Sequence, residues 1–486
     1  MSERCDIAVV GGGVGGLVTA IRLAAAGRHV VLLERNNEVG GKLAVRQRDG
    51  FSFDTGPSLL TLPGLFDEVF GVAGSSLAAE VDLVRLDPSF RYFWPDASTV
   101  TFRDQPVATA EALEAAFPGS GAEYLDYLQR ARMIWQVSER TFFAGDMASP
   151  LSLVSRLRSP RDFARVDALR DLSSRARLAF GDPRMRQWLG RYATYSGSDP
   201  SRAPATLGCI AGVEADFGAW YVRGGLGALR DALARTALRL GVEIRTGCEV
   251  TRITATHRRV TGVQTADAHV SAAVVVANAD AEHVYRDLLP HPRRLARVQR
   301  SERSTSGVAV LVGVQGRTPL IAHHNVWFSR DYAQEFADIR GGKIPADPTI
   351  YACVSSVTDE TQAQAGCENW FILINTPADE SLEVRDAGPW LLDRLAAVGP
   401  DLRSRAKFAE VIGPRDIARR YRSPGGAIYG TSSNGRSAAF RRPSTIGARR
   451  GLYLVGGSSH PGGGLPLVTM SARIVADLVL RRERQR

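Results

Sequence analysis

Cysteine is scarce in this sequence, and its spacing excludes several kinds of site. Five cysteines are dispersed among 486 residues, and no two of them form a Cys-x-x-Cys pair. An odd number of scattered thiols argues against a disulfide framework and against a zinc site, and it is typical of a reducing compartment. The sequence also has no His-Glu-x-x-His motif, so we expect no metal site.

Lysine is nearly absent. Only Lys42, Lys343 and Lys407 occur among 61 basic residues, so arginine carries almost all of the formal net charge of +10. This charge reflects either biased codon usage or contact with anionic lipid headgroups or nucleic acid. Because neither a zinc-finger pattern nor an aromatic RNA-binding signature accompanies the arginines, we expect no nucleic-acid partner.

Long apolar runs are also missing. No run of about 18 apolar residues occurs, which predicts that no helix spans a membrane. The N-terminal segment MSERCDIAVV lacks a secretory pattern, since its apolar run leads directly into glycines. With 44% hydrophobic and 23% charged residues, the composition is that of a globular protein of two or three domains. We expect a cytoplasmic location.

Glycine is concentrated in a loop near the N-terminus. The segments CDIAVV, GGGVGGLVTAIRLAAAG and HVVLLE predict a strand, a helix and a second strand. Gly11, Gly13 and Gly16 satisfy Gly-x-Gly-x-x-Gly, in which glycine permits a tight turn, close approach of a pyrophosphate and helix packing. Glu34 ends the second strand, where a carboxylate binds a ribose hydroxyl. The pattern predicts a dinucleotide site, because a turn that serves packing alone leaves Glu34 unexplained.

A second glycine pair favours FAD over a nicotinamide cofactor. Gly40 and Gly41 are followed by the basic Lys42, shortly after Glu34. In flavoproteins of the amine-oxidase and desaturase type, such a doublet and a following arginine lie against the dinucleotide. Lysine at this position retains the positive charge of arginine but lacks its planar guanidinium group, which can form two parallel hydrogen bonds. The alternative is an ordinary turn, and we predict FAD as the cofactor.

Three separated blocks of strands predict one nucleotide-binding domain. The predicted class is α/β, or α+β overall, with a Rossmann-type FAD-binding domain, an interleaved substrate-binding domain and a helical region that could associate with a membrane. We assign residues 1–71, 218–284 and 445–486 to the FAD-binding domain. Residues 72–217, with a mainly helical pattern, and residues 285–444 form the substrate-binding domain.

Seven further segments carry a resemblance to a known family. They are Asp49–Pro63, Arg191–Pro200, His323–Phe336, Asp347–Ser356, Gly366–Asn375, Ala427–Gly435 and Gly451–Ile474. Along nearly its whole length the chain resembles the bacterial phytoene desaturase (carotenoid desaturase) family, most specifically in the sequence HPGGGLP. Two segments, AIYGTSSNG and the C-terminal motif, are similar to the late-pathway branch of hydroxycarotenoid 3,4-desaturases and carotenoid oxygenases.

The glycine motifs and the resemblance together imply a set of residues that contact FAD. In the C-terminal motif, Pro466 suits the first turn of a helix whose N-terminus would stabilise the negative charge of reduced flavin. The candidate contacts are Gly11, Gly13, Gly15, Gly16, Glu34, Arg35, Gly40, Gly41, Lys42, Gly56, Pro57, Ser58, Val250, Asn278, Gly456, Gly457, Pro466, Leu467 and Val468.

The resemblance implies an FAD-dependent carotenoid desaturase that introduces double bonds into an acyclic carotenoid by hydride transfer to the flavin. The alternatives that stay open on the same fold are oxygenation, isomerisation or saturation of a polyene. Two more distant alternatives are amine oxidation and non-catalytic carotenoid binding. We expect oxygen or a quinone to reoxidise the flavin. The catalytic residue is unknown: Asp146, Glu214 and Asp216 are loose candidates, and His460 is expected to order its loop rather than to act as a base.

Aromatic residues recur in the inserted segments and are candidates for the wall of a polyene channel. Core packing is the alternative interpretation for each of them. They are Phe90, Tyr92, Phe93, Trp94, Phe142, Phe143, Tyr192, Tyr195, Phe217, Trp220, Trp327 and Phe328.

A basic segment suggests a membrane surface. Residues 151–191 contain ten arginines and four aspartates, with apolar residues recurring among them. Such a segment is typical either of an amphipathic region in a lipid interface or of a solvated helical face. Since a carotenoid substrate comes from a bilayer, we expect the protein to bind peripherally to the inner face of the cell membrane.

Overall fold

The structure is a computed structural model that describes residues 2–147 and 155–484. Its strands, in chain order, are β1 (Ser2–Val10), β2 (Val30–Leu33), β3 (Val45–Arg48), β4 (Phe51–Asp54), β5 (Leu83–Arg85), β6 (Phe90–Phe93), β7 (Thr99–Phe102), β8 (Trp220–Val222), β9 (Glu243–Arg245), β10 (Val250–Ala255), β11 (Val260–Thr265), β12 (His269–Ala277), β13 (Ser306–Gln315), β14 (His324–Trp327), β15 (Ile350–Cys353), β16 (Cys367–Thr376), β17 (Ala406–Ile412) and β18 (Leu452–Leu454). Its α-helices are Val14–Ala25, Gly64–Gly71, Leu77–Glu80, Pro106–Ala116, Ser120–Thr141, Pro160–Arg165, Leu172–Ala179, Pro183–Gly190, Cys209–Phe217, Leu226–Arg239, Ala281–His283, Pro292–Gln299, Tyr332–Arg340, Ala387–Val398, Pro414–Tyr421, Ala438–Arg441 and Leu465–Arg484.

The first sheet carries the glycine loop. Its strands lie in the order β10-β11-β12-β1-β2-β9, and β18 pairs with the last residues of β12. The central strand β1 is parallel to both β2 and β12. Its residues Ile7 to Val10 are all buried, because one apolar core lies on each face of the sheet. The three strand-rich blocks of the sequence therefore meet in one sheet.

The second sheet is mostly antiparallel. Its order is β17-β13-β16-β15-β14-β6-β7, and only β14 and β6 run parallel. The helix Ala387–Val398 covers one face, where its Leu391 and Leu395 belong to the same apolar core as Trp370. The other face turns Ala309 and Leu373 towards the cavity described below. With two seven-stranded sheets, two two-stranded sheets and many helices, the mixed α/β class expected from the sequence is confirmed.

A short hairpin adds strands to a region whose pattern is mainly helical. Strands β6 and β7 span four residues each and pair in antiparallel register. Buried and half-buried residues alternate along β6, which is the pattern of a strand with one core face. The helices between residues 106 and 217 pack on this hairpin through an aromatic core that includes Phe102, Tyr124 and Trp188.

The basic segment 151–191 is not one continuous helix. Residues 151–154 lie outside the described residues, and the rest forms three short helices followed by the 3-10 turn Arg191–Ser196. Several arginines are engaged inside the protein, as in the ion pair between Arg175 and Asp167. Leu169 and Leu178 are exposed by 57% and 66%. Among the described residues, no helix combines the length and apolar character needed to cross a bilayer.

A buried carboxyl group joins β14 to the next helix. Glu335 is 1% exposed, and its Oε2 accepts hydrogen bonds from the Ser329 hydroxyl at 2.8 Å and the Thr349 hydroxyl at 2.7 Å. Its Oε1 is buried without a hydrogen-bond partner. Burial raises the pKa of Glu335 to about 7, although the two hydroxyls partly oppose this. The folded protein therefore favours the protonated acid.

This raised pKa predicts a pH-dependent stability. Below pH 4 the folded and unfolded states both hold the proton, and the stabilising contribution is complete. It is lost as the pH rises from about 4.5 through about 7, and the loss is at most about 3 kcal/mol. Glu335→Gln mimics the neutral acid, so we expect the variant to unfold at a higher temperature than the wild type at pH 8 and at a similar temperature at pH 5.

Thermal unfolding followed by circular dichroism at both pH values measures this effect. Glu360→Gln is the matched control, because the side chain of Glu360 is 86% exposed. An equal shift for Glu335→Gln at pH 5 and pH 8 would contradict the titration of Glu335.

Candidate functional site

A large cavity lies between the two sheets. Its volume is about 740 Å³, within the range of ligand sites in proteins. One wall consists of glycine-rich loops at the ends of β1, β12 and β18, and the opposite wall includes residues of β13, β16 and β15. The cavity is continuous from the dinucleotide motif to the second sheet.

The first glycine loop is packed too tightly for side chains. Gly11 has a φ of +96°, and a Cβ there would lie 2.5 Å from the backbone oxygen of Asn278. A Cβ on Gly13 would lie 2.7 Å from the Asn278 side chain. The helix Val14–Ala25 begins directly after Gly13 without a side-chain cap. Its free first-turn amides can therefore bind a phosphate.

Glu34 holds the same loop from the next strand. The carboxylate is 4% exposed, and it accepts hydrogen bonds from the amide of Gly12 at 2.7 Å and the amide of Asn36 at 2.8 Å. The second glycine pair lies against this loop, since the amide of Gly40 donates to the carbonyl of Gly12 at 2.7 Å. The two motifs, separated in sequence, thus form one cradle.

Lys42 extends from the cradle to the other wall. Its ammonium donates to the carbonyl oxygens of Ala427, at 3.2 Å, and Ile428. Burial lowers the pKa of Lys42 to about 8, although Asp280 opposes the shift. The lysine therefore ties the glycine cradle to the segment Ala427–Gly435 through two backbone carbonyls.

The C-terminal motif forms a second helix N-terminus at the cavity. Gly463, Gly464, Leu465 and Pro466 line it where the helix Leu465–Arg484 begins. All the predicted contacts line the cavity except Gly16 and Leu467. Gly16 lies inside the first helix, where a Cβ would be 2.2 Å from the Gly11 carbonyl, and Leu467 packs into a neighbouring apolar cluster.

His460 lies behind this motif. Its Nε2 donates to the carbonyl oxygens of Phe142 and Gly145, at 3.0 and 3.1 Å. Burial lowers the pKa of His460 to about 4, and the residue does not line the cavity. These contacts agree with the expectation that His460 orders its loop.

The three acidic candidates also lie away from the cavity wall. Asp146 accepts from the Thr445 hydroxyl at 2.7 Å, and Asp216 forms an ion pair with Arg132 at 2.7 Å. Glu214 accepts from the hydroxyl of Tyr195 at 2.5 Å. Of the three, only Glu214 contacts a residue that lines the cavity, and that residue is Tyr195.

Most of the aromatic candidates are core residues. Only Phe90 and Tyr195 among them line the cavity. Tyr92, Trp94, Trp327 and others are buried in the cores of the second sheet and its helices, as the alternative interpretation held. Phe217 is 42% exposed.

Sequence reasoning named Ser58 as an FAD contact but missed several polar residues near it, on the cavity wall opposite the glycine loops. The Ser58 hydroxyl lies 2.6 Å from the Tyr351 hydroxyl, which lies 2.8 Å from Nδ1 of His324. Arg191 and Tyr332 line the same wall. Both belong to segments that carried the family resemblance, but no spacing rule singled them out.

One group of possible metal ligands occurs among the described residues. The ligand atoms of His323, His324 and Cys353 lie within 4.8 Å of one another. The Nδ1 atoms of the two histidines are already engaged, that of His323 by Thr358 at 2.8 Å and that of His324 by Tyr351. The absence of a metal stays a prediction.

Comparisons with known proteins agree with this geometry. Residues 14–480 match the family described as flavin containing amine oxidoreductase. The chain is 34% identical to a 4,4'-diapolycopene oxygenase of Methylomonas sp. over 99% of both chains. It is also 34% identical to a 4,4'-diaponeurosporene oxygenase of Staphylococcus aureus (strain USA300) over 98% of both chains.

The same fold occurs in a solved oxidase. Wild-type putrescine oxidase bound to putrescine superposes with a TM-score of 0.68 over 100% of both chains, at 14% identity. The glycine cradle, Glu34 and the two helix N-termini fit a dinucleotide, and the cofactor is FAD. The chain is thus an FAD-dependent oxidoreductase of the flavin containing amine oxidoreductase family, and within it belongs to the bacterial carotenoid desaturases and oxygenases.

Proposed function

We propose that this protein oxidises an acyclic carotenoid-class polyene held beside FAD, with oxygenation as the first reaction class. The observation that carries the proposal is the continuity of one cavity from the glycine cradle to an apolar and aromatic wall. That wall includes Phe90, Val326, Phe371 and Leu373. Oxygenation is placed first because two relatives that match along their whole length are named as oxygenases of such polyenes.

Different cradle residues would bind different parts of FAD. The amides at the start of Val14–Ala25 would face the phosphates, and Glu34 would accept from a ribose hydroxyl. The N-terminus of Leu465–Arg484 would place a partial positive charge near the flavin ring. Bound FAD supplies a two-electron oxidant, and the apolar wall positions the polyene.

Desaturation is a second candidate, favoured by a chain of hydrogen bonds. Formation of a double bond removes one hydrogen with its two electrons, as a hydride, and a second hydrogen as a proton. Ser58, Tyr351 and His324 form a relay that leads from the cavity wall into the interior. Burial lowers the pKa of His324 well below its usual range, so the imidazole is neutral and can accept a proton from the relay only transiently.

Product analysis separates the two reactions. Purified protein with FAD and anionic liposomes is incubated with phytoene, neurosporene, lycopene, diaponeurosporene, diapolycopene and a 1-hydroxylated acyclic carotenoid. Parallel samples contain labelled oxygen gas or labelled water. We expect label in the product, and its source identifies the oxygen donor. A product that has lost two hydrogens and gained no oxygen establishes desaturation instead. No change in any carotenoid, with FAD bound, would overturn the proposal.

A second prediction concerns the cofactor site. Glu34→Gln keeps the size of the side chain but weakens the acceptor for a ribose hydroxyl and for the Gly12 amide. We expect about a tenfold weaker affinity for FAD, measured by titrating the apoprotein with FAD and following flavin fluorescence. Glu38→Gln is the control, because the Glu38 side chain is 47% exposed and pairs with Arg230 and Arg420. Equal affinities of the two variants would refute the role of Glu34.

We also propose peripheral attachment to the inner face of the cell membrane, supported by the exposed Leu169 and Leu178 among the arginines of residues 155–191. The double variant Leu169→Asn and Leu178→Asn should reduce cosedimentation with anionic liposomes at low salt by several-fold. Leu238→Asn is the control, because Leu238 is 56% exposed on the helix Leu226–Arg239. Wild-type protein that stays in the supernatant would disprove attachment.

A further inference from the structure

Arg191 is a buried cation in the wall of the cavity. It begins the 3-10 turn that follows the helix Pro183–Gly190, and it is only 6% exposed. Aromatic rings surround its guanidinium, with the centroids of Phe90, Tyr92, Tyr192 and Tyr195 at 4.8, 5.3, 5.2 and 5.1 Å. The rings stabilise the cation without neutralising it.

The hydrogen bonds of Arg191 leave part of the guanidinium unused. Both of them start at Nη2 and reach the hydroxyls of Tyr92, at 2.7 Å, and Tyr195, at 3.2 Å. The Nε atom is buried without a partner. Within the described part of the chain no carboxylate forms an ion pair with Arg191. Glu214 is linked to it indirectly, because it accepts hydrogen bonds from the hydroxyls of Tyr192 and Tyr195, whose rings pack against the guanidinium.

A second donor on the same wall is also unpartnered. The hydroxyl of Tyr332 is buried and has no hydrogen-bond partner. Its ring is fixed edge-on against Phe328 and Phe336, at centroid distances of 6.1 and 5.1 Å. Both Arg191 and Tyr332 line the cavity. Buried donors in a folded protein are almost always paired, so two unpaired donors on one ligand cavity indicate that a ligand supplies the acceptor.

The chemistry of the donors defines that acceptor. A guanidinium binds a carboxylate or carbonyl oxygen through directed N–H groups, and a phenol donates one further hydrogen bond. A polyene that is hydrocarbon throughout offers no acceptor to either group. Much of the wall around them is apolar or aromatic, as at Phe90, Val326 and Leu373. An acceptor carried by an otherwise apolar ligand therefore matches both the donors and the wall.

We propose that Arg191 and Tyr332 form a subsite for the oxygen-bearing end of a polyene, with a carboxylate or aldehyde as the preferred group. The proposal rests on the proposed function, since it presumes a polyene in the cavity. The subsite fixes one end of the chain by its oxygen. The anchored end then sets which carbon of the polyene lies beside FAD.

Equilibrium binding to the FAD-loaded protein tests the subsite without requiring turnover. The probes are apo-8'-lycopenoic acid, apo-8'-lycopenal and lycopene, followed by quenching of tryptophan fluorescence. We expect the wild type to bind the acid and the aldehyde more tightly than lycopene. Arg191→Gln should weaken binding of the acid by about tenfold or more while changing lycopene binding by less than about twofold. Tyr332→Phe should weaken the acid and the aldehyde by about threefold or more.

Two controls keep the result interpretable. Arg177→Gln removes an exposed arginine from the neighbouring helix Leu172–Ala179 and should leave all three affinities unchanged. Arg191→Lys keeps the charge without the fork, and it should retain part of the preference for the acid. If Arg191→Gln does not fold, as judged by FAD content and unfolding temperature, Arg191→Lys and Tyr332→Phe decide the question.

Three outcomes would overturn the subsite. One is equal wild-type affinity for the acid, the aldehyde and lycopene. Another is an equal loss of acid and lycopene binding in a folded Arg191 variant. The third is binding of the short diene acid sorbate as tightly as the long acid, which would indicate a site for free anions. Failure of the proposed function looks different, because then none of the three polyenes binds to FAD-loaded wild type.

Discussion

The packing of glycines around Asn278 is the constraint on which the cofactor side of the molecule depends. The backbone amide of Asn278 donates to the Val10 carbonyl at 2.8 Å, and its side-chain amide donates to the Gly11 carbonyl at 3.1 Å. A Cβ on Gly15 or Gly456 would lie 2.9 or 2.7 Å from its side-chain oxygen. Three distant parts of the chain thus converge on one amide, and only glycine permits the approach.

Because of this convergence, the two walls of the cavity differ in the chemical groups that they present. The cradle presents backbone amides and two helix N-termini, whereas the second sheet presents mainly aromatic and aliphatic side chains, with a few polar groups such as Tyr351. Lys42 crosses between them by donating to backbone carbonyls of the opposite wall. A dinucleotide and an apolar ligand can then share one space, because each meets the surface that matches its polarity.

The sequence predicted the cradle well and the opposite wall poorly, for physical reasons. The buried strands β1, β2 and β12 carry apolar runs, and their loops carry glycines where the backbone must approach a ligand, so local patterns suffice. The second wall is assembled by pairing between β6 and β14, which lie far apart in the chain. Nothing in the local pattern distinguishes Phe90, which lines the cavity, from Tyr92, which is fully buried two residues later.

Arg191 bears on the choice between the two reaction classes. A fixed guanidinium in an apolar wall raises the energy of positive charge that develops on nearby carbons, and it lowers the energy of negative charge on nearby oxygen. Glu214 offsets part of this field through the Tyr195 hydroxyl, but it does not contact the guanidinium. Arg191 therefore destabilises a cation on polyene carbons close to it, whereas it stabilises an oxygenated terminus of the polyene at the same place. In this chain, the position of the reacting carbon relative to Arg191 therefore bears directly on which of the two reactions the site favours.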